Sequence, residues 1–161
     1  MLFHLPTIWT ILLDIAVWFI IHISVSYFIT RVPVHSFNPN SWLYKERNWE
    51  KKGKIYEKLF RLRAWKTKLP DGAALFKNGF KKKHMEKMDK EYFQEFIMET
   101  CRAELTHWVV FLFASIFFIW NLWWIGIIMV AYAITVNMPC IITQRYNRIR
   151  LRRVLEASTI T

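Results

Sequence analysis

None of the 23 lysines and arginines falls in residues 1–30 or 103–144. Eighteen lie between Arg31 and Arg102 and five between Arg145 and Arg153, so the 161-residue chain alternates two cation-free apolar tracts with two basic ones. A helix in water keeps one face polar. Tracts this long with no such face call for lipid as their solvent, where a helix satisfies its own backbone. The first, residues 5–29, exceeds the roughly 20 residues that cross hydrocarbon as a helix. It lacks the basic start, short apolar region and small-residue cleavage site of a secretory signal, so it is expected to remain as a span. The second, residues 103–142, is too long for one crossing and fits two, with Asn121 near its middle among Trp120, Trp123 and Trp124. Tryptophan favours the membrane–water interface, which places a tight turn there and spans at about 104–120 and 122–143. One long bent helix is the alternative that hydropathy permits. The expectation is an all-α integral membrane protein forming a single domain over 1–161, with three transmembrane helices and amphipathic interfacial helices in one polar loop.

Net charge is +11. Nucleic acid, anionic lipid and phosphorylated substrates all suit such a balance, but in a chain with spans the retention of Lys and Arg on the cytoplasmic side comes first. No nucleic-acid partner is expected; membrane lipids are. The loop 31–103 and the tail 144–161 are then cytoplasmic, and the N-terminus and the Asn121 turn are outside, in a multi-pass protein of the cell membrane. Within the loop, residues 49–65 place Ile55, Leu59 and Leu62 on one helical stripe with lysines between them. The pattern predicts a basic amphipathic helix on the inner leaflet. A second amphipathic stretch, 89–103, carries Phe93, Phe96 and Ile97 and is expected to run unbroken into the second span. Leu69-Pro70-Asp71-Gly72 signals a turn, and Lys81-Lys82-Lys83 a solvated or lipid-facing charge run. Cys101 and Cys140 read as small buried hydrophobes without metal-ligand spacing, and no metal site is expected.

Glu104 and His107 stand three apart, on one helical face, where the second span enters the inner leaflet. Ionisable groups at membrane depth tend to mark function. A carboxylate beside an imidazole orients it and raises its basicity, as a general base acting on an alcohol requires. An interfacial ion pair anchoring the helix end is the plainer alternative. Asn137-Met138-Pro139-Cys140 leads into Gln144-Arg145-Tyr146-Asn147-Arg148, where arginines can clamp phosphate or carboxylate; a stop-transfer flank would also want them. Asp14, Trp18 and His22 share a stripe of the first span, and the two ionisable members are expected to face the hairpin or a polar cavity. There is no Gly-x-Ser-x-Gly elbow, Gly-rich phosphate loop or His-Glu-x-x-His.

These residues carry a resemblance. Thr30-Arg31-Val32-Pro33, the block 48–54, Trp65-Lys66 with Lys68 and Asp71-Gly72, Glu99-Thr100, Arg102-Ala103-Glu104-Leu105 and His107-Trp108, Asn137 and Pro139, and the block 144–148 with Arg150-Leu151 resemble the glycosyl-4,4'-diaponeurosporenoate acyltransferase family of staphyloxanthin-type carotenoid biosynthesis. Asp14 and His22 have no counterpart there, and Pro70, Met138 and Cys140 look local. The resemblance implies a membrane O-acyltransferase that esterifies a fatty acyl group onto a sugar hydroxyl of a glycosylated carotenoid or related glycolipid. It implies no cofactor, with an acyl donor such as acyl-CoA, or an acyl carrier protein, as co-substrate. His107 is then the general base and Glu104 its support. Arg145 and Arg148 bind donor phosphate or the oxyanion. Arg102, Asn137, Gln144, Tyr146 and Asn147 contact sugar or donor, and Lys66, Lys68 and Asp71 close the site from the loop. A small membrane methyltransferase or reductase and a non-enzymatic lipid-binding scaffold are the competing readings.

Overall fold

The structure, a computed structural model, describes residues 6–65 and 90–158. Lys66, Lys68 and Asp71, the 69–72 turn and the Lys81-Lys82-Lys83 run lie outside the described residues.

Helix α1 (Thr7–Arg31) begins where the Pro6 carbonyl accepts the amides of Trp9 and Thr10 at 2.9 and 3.1 Å. It stops because Pro33 disfavours the helical conformation in the residue before it, and Val32 is extended, at φ −68° and ψ 127°. Asp14, Trp18, Ile21 and Val25 are its buried residues, spaced by four, three and four, so one stripe faces protein. Ile8, Ile15, Phe19 and Phe28 are all more than 60% exposed. An apolar outer face this continuous belongs in lipid.

A short 3₁₀ turn, Val34–Ser36, opens the polar loop. The loop continues through a second one, Asn48–Gly53, into α2 (Lys54–Phe60) and the single turn α3 (Leu62–Trp65). Helix α4 (Lys90–Phe113) tightens to a 3₁₀ helix over Ala114–Ile119, and after a reversal at residues 120–122 helix α5 (Trp123–Ser158) returns. The segments Thr7–Arg31, Lys90–Ile119 and Trp123–Ala157 are long and apolar enough to cross a membrane. Every regular element among the described residues is helical, and the second tract is a hairpin rather than one bent helix.

The helices overrun the expected spans. The 36 residues of α5 rise about 54 Å at 1.5 Å each, against roughly 30 Å of hydrocarbon. What reads as a tail from 144 is therefore a projecting helix. It is held because Tyr146, Ile149 and Leu151 are buried. Leu151 packs with Phe93, Phe96 and Ile97 of α4, whose 90–103 stretch does run unbroken into the span.

The loop departs from expectation. Residues 49–65 do not form one amphipathic helix, because Lys51, Lys52, Gly53 and Arg61 all have positive φ (47°, 57°, 81° and 46°) and break it twice. The proposed stripe is split: Leu62 is fully buried and Leu59 is 68% exposed. Tyr56 and Leu62 pack instead on Tyr146 and Ile149, so the segment is fastened to the projecting end of α5.

Between the helices, Trp18, Ile21 and Val25 meet Val110, Ala114, Phe117, Trp120 and Ala133. Trp18 stacks on Phe117 with centroids 4.7 Å apart, and His22 lies 5.6 Å from the same indole. At the hairpin end, Asp14 Oδ1 accepts Trp120 Nε1 and Asn121 Nδ2, both at 2.8 Å, so Asp14 faces the hairpin as its stripe predicts. Trp120 differs from its expected place in an interfacial belt. Trp123 and Trp124 are exposed, whereas Trp120 turns inward to the carboxylate.

Replacing Asp14 by Ala leaves two buried donors without this acceptor. The expected cost is about 1–3 kcal/mol, toward the lower end if the freed donors find partners. Thermal unfolding of the purified protein in detergent should show a lowered midpoint, and an unchanged midpoint would contradict the clamp.

Candidate active site

The end of the bundle that carries the loop is built around Glu104. Helix α4 presents this carboxylate with no solvent exposure, and α5 brings up Arg145 and Arg148, three apart on one face. Arg145 Nη1 donates to Glu104 Oε1 at 2.9 Å, Arg148 Nη2 donates to Oε2, and Trp108 Nε1 reaches Oε1 at 3.3 Å. Arg145 also forks onto Glu50 of the loop, with Nε on Oε1 at 2.9 Å and Nη2 on Oε2 at 3.1 Å. Its remaining donors take the carbonyls of Leu43 and Lys45, so all five N–H groups are used inside the protein. Arg148, 1% exposed, donates as well to the Tyr44 carbonyl and the Thr100 hydroxyl.

Glu50 is equally enclosed. It accepts the Tyr56 hydroxyl and the Arg47 amide besides Arg145. Burial pushes its pKa up, but the hydrogen bonds from Arg145, Tyr56 and the Arg47 amide outweigh burial and hold it below its ordinary value of 4.5. Burial, and then the bond to Glu50, push the Tyr56 phenol well above its usual range, so it stays a donor. Beside this network Arg102 pairs with Glu99 through Nε and Nη2, while its Nη1 takes the Thr30 and Val32 carbonyls at 3.1 and 3.3 Å. Those carbonyls sit at the C-terminus of α1, where acceptors lack helical partners.

Toward the apolar core from Glu104 stands His107. Its Nδ1 lies 3.0 Å from Asn137 Oδ1 on α5. The Asn137 carboxamide is buried and donates through Nδ2 to the Ala133 carbonyl at 2.9 Å. With Nδ2 committed as donor, Oδ1 is the acceptor. Nδ1 therefore carries a proton and donates to it, and in the neutral ring that leaves Nε2 as the basic nitrogen, the tautomer a base needs.

The structure thus brings most of the expected residues to one end but redistributes their roles. Glu104 accepts from two arginines and an indole, and the partner on His107 Nδ1 is Asn137. Arg145 and Arg148, expected to clamp an anion, are committed to Glu50, Glu104, backbone carbonyls and Thr100, because a carboxylate buried this deeply must be compensated. Arg102 fastens α1. Tyr146 is buried and donates its hydroxyl to Glu57. Gln144 and Asn147 are half-buried on α5. Glu50 is the residue that sequence reasoning missed; its signal was an isolated carboxylate in a block of lysines. Cys101 is buried and Cys140 half-buried, both as free thiols, and the described residues contain no His, Cys, Asp and Glu grouping suited to a metal ion.

Three apolar spans, an ion network closing one end and an imidazole–carboxamide pair beneath it define a polytopic membrane protein with a polar site at the edge of its apolar bundle. Residues 40–157 match the family described as glycosyl-4,4'-diaponeurosporenoate acyltransferase. Proteins of that name from Staphylococcus aureus strains bovine RF122 / ET3-1 and N315 are each 36% identical over 138 residues, covering 86% of this chain and 83% of theirs. No solved structure matches the chain. The chain belongs to the glycosyl-4,4'-diaponeurosporenoate acyltransferase family and is an acyltransferase. Of the readings open to the sequence, family membership selects acyl transfer over methyl transfer, reduction or scaffolding.

Glu104→Ala leaves two buried guanidinium groups short of their carboxylate, and a loss of about 3–5 kcal/mol in stability is expected. Folded yield and thermal midpoint report it; a variant as stable as the parent would contradict a compensating role. Acid should act on the same network. Because the folded-state pKa of Glu50 is depressed, its contribution is complete above 4.5 and is lost as pH falls below that value through the folded pKa. A midpoint that falls with acid in the parent but less steeply in Glu50→Gln is the expected result.

Proposed function

We propose that this chain esterifies a fatty acyl group onto a sugar hydroxyl of a glycosylated carotenoid or a related glycolipid, at the cytoplasmic face of the cell membrane. The name of the relatives supports the acceptor class. The distribution of Lys and Arg supports the orientation, with the N-terminus and the 120–122 turn outside and the loop and the end of α5 inside. The observation that carries the mechanism is the His107–Asn137 contact between the ion network and the apolar core, where a water-soluble donor head and a lipid acceptor can meet.

In this reading His107 Nε2 takes the proton of the sugar hydroxyl as its oxygen attacks the carbonyl carbon of an acyl thioester, with acyl-CoA as donor. The carbon–sulfur bond of the tetrahedral intermediate then breaks, and the departing thiolate recovers the proton from the imidazolium. Asn137 Oδ1 holds Nδ1–H throughout and steadies the positive ring. Direct transfer forms no acyl-enzyme, in keeping with the missing serine elbow. Gln144 and Asn147 supply hydrogen bonds to sugar or donor. Arg102, Arg145 and Arg148 act as scaffold, since their donors serve internal acceptors.

The test adds acyl-CoA and a glycosylated lipid extract to the purified protein and follows new ester masses. His107→Ala should lower kcat/KM by about 10²–10⁴-fold, the usual worth of a general base, and Asn137→Ala by a smaller factor. Ester made by His107→Ala at the parental rate would remove the base. Ester absent from the parent with every common donor would remove the substrate assignment.

A further inference from the structure

The cations at the projecting end of α5 fall into two sets. Arg145 and Arg148 are spent on internal carboxylates and carbonyls, and Arg152 reaches Asn40 Oδ1. On an adjoining face, Tyr146, Arg150 and Arg153 follow one another at intervals of four and three. With Lys52 and Glu57 they line a recess of about 130 Å³. Among the described residues, neither the Arg150 guanidinium nor the Lys52 ammonium has a hydrogen-bond or ion-pair partner, and Arg153 makes one long contact, from Nη1 to the Lys52 carbonyl at 3.5 Å. All three cations are exposed at the rim, while Tyr146 is buried and turns its hydroxyl to Glu57. Among the described lining residues, three positive charges thus face one carboxylate.

The backbone beneath Lys52 is strained. Lys51 and Lys52 are both left-handed, at φ 47° and 57°, a conformation that is unfavourable for a residue with a side chain. Strain of this kind persists where surrounding structure imposes it and clusters at ligand sites. Here the turn is pinned by Glu46 Oε1, which accepts the Lys52 amide at 3.1 Å, and by Gly53, which lies against the Tyr146 ring at 3.5 Å from where a Cβ would stand.

We infer that this recess, lined by Lys52, Arg150 and Arg153, seats the phosphate groups of a phosphopantetheine-linked acyl donor. Guanidinium groups suit phosphate because paired N–H donors match its oxygens. The spacing to the reacting centre agrees. Arg150 follows Asn137 by 13 residues on one helix, about 20 Å along its axis, the scale of an extended pantetheine arm. A donor anchored at the recess could therefore lay its thioester beside His107 and pass its acyl chain into the apolar bundle. The identity of the ligand rests on the acyl-transfer reading above.

The test measures coenzyme A binding to the full chain in nanodiscs of zwitterionic phosphatidylcholine, for the parent, for Arg150→Gln/Arg153→Gln and for Arg150→Lys/Arg153→Lys. Matched helix content and elution establish that the exposed substitutions leave the fold intact. The expected result is a Kd raised tenfold or more by the glutamine pair, largely recovered by the lysine pair, with parental binding weakening as salt is added. Binding indifferent to the glutamine pair, or no binding by the parent, overturns the inference. So does a glutamine pair that keeps coenzyme A but loses its preference for phosphatidylglycerol vesicles, since the recess would then serve a lipid headgroup. The two readings fail separately. Ester formation with coenzyme A binding indifferent to the pair sinks only the recess, and pair-dependent binding without ester from any donor sinks only the acyl-transfer assignment.

Discussion

Glu104 lies out of reach of water between Arg145 and Arg148, and the geometry of the whole basic end follows from the need to compensate it. Moving a carboxylate out of water is costly, and the interior recovers that cost only when opposite charges sit in good geometry. Arg145 does so for two carboxylates at once, one from α4 and one from the loop. Segments 54 residues apart in sequence, at Glu50 and Glu104, are thereby tied to one guanidinium on α5.

Such polar clamps matter more in a bilayer than their number suggests. Lipid tails are as apolar as leucine, so apolar packing alone gives helices little reason to choose one register over another. Here the bundle is pinned at both ends. Asp14 holds the hairpin turn through Trp120 and Asn121, and the Glu104 network holds the opposite end, with Arg102 gripping the last carbonyls of α1. Between them the helices meet through Trp18, Phe117 and their neighbours. The His107–Asn137 pair lies just inside the second clamp, on two helices whose relative height that clamp sets. A base of the kind proposed for His107 must be placed to within a fraction of an ångström to act on a hydroxyl, and a paired ion network is a stiff support for such placement.

Much of this could be read from the residues. The cation-free tracts, the break at Asn121 and the stripe through Asp14 were sufficient for three spans, a hairpin and an inward carboxylate. Glu104, His107 and Asn137 stood out as polar groups at a membrane boundary, and they do meet at one end. The loop was misjudged because helical periodicity over residues 49–65 takes no account of three left-handed residues at 51–53, a conformation only tertiary contacts can hold. The partners of the arginines were not legible for a related reason. Their spacing shows that they share a face but not what lies opposite, and Glu50 comes from a loop that no local pattern folds back onto α5.

What the sequence alone determined is the environment, because exclusion of charge from hydrocarbon acts on every residue of a tract and is legible without knowing any contact. What only the tertiary structure decided is which charge answers which. A buried ion pair depends on distances of a few ångströms between segments far apart in the chain. The same guanidinium binds a ligand or braces a fold according to whether a carboxylate is already within reach.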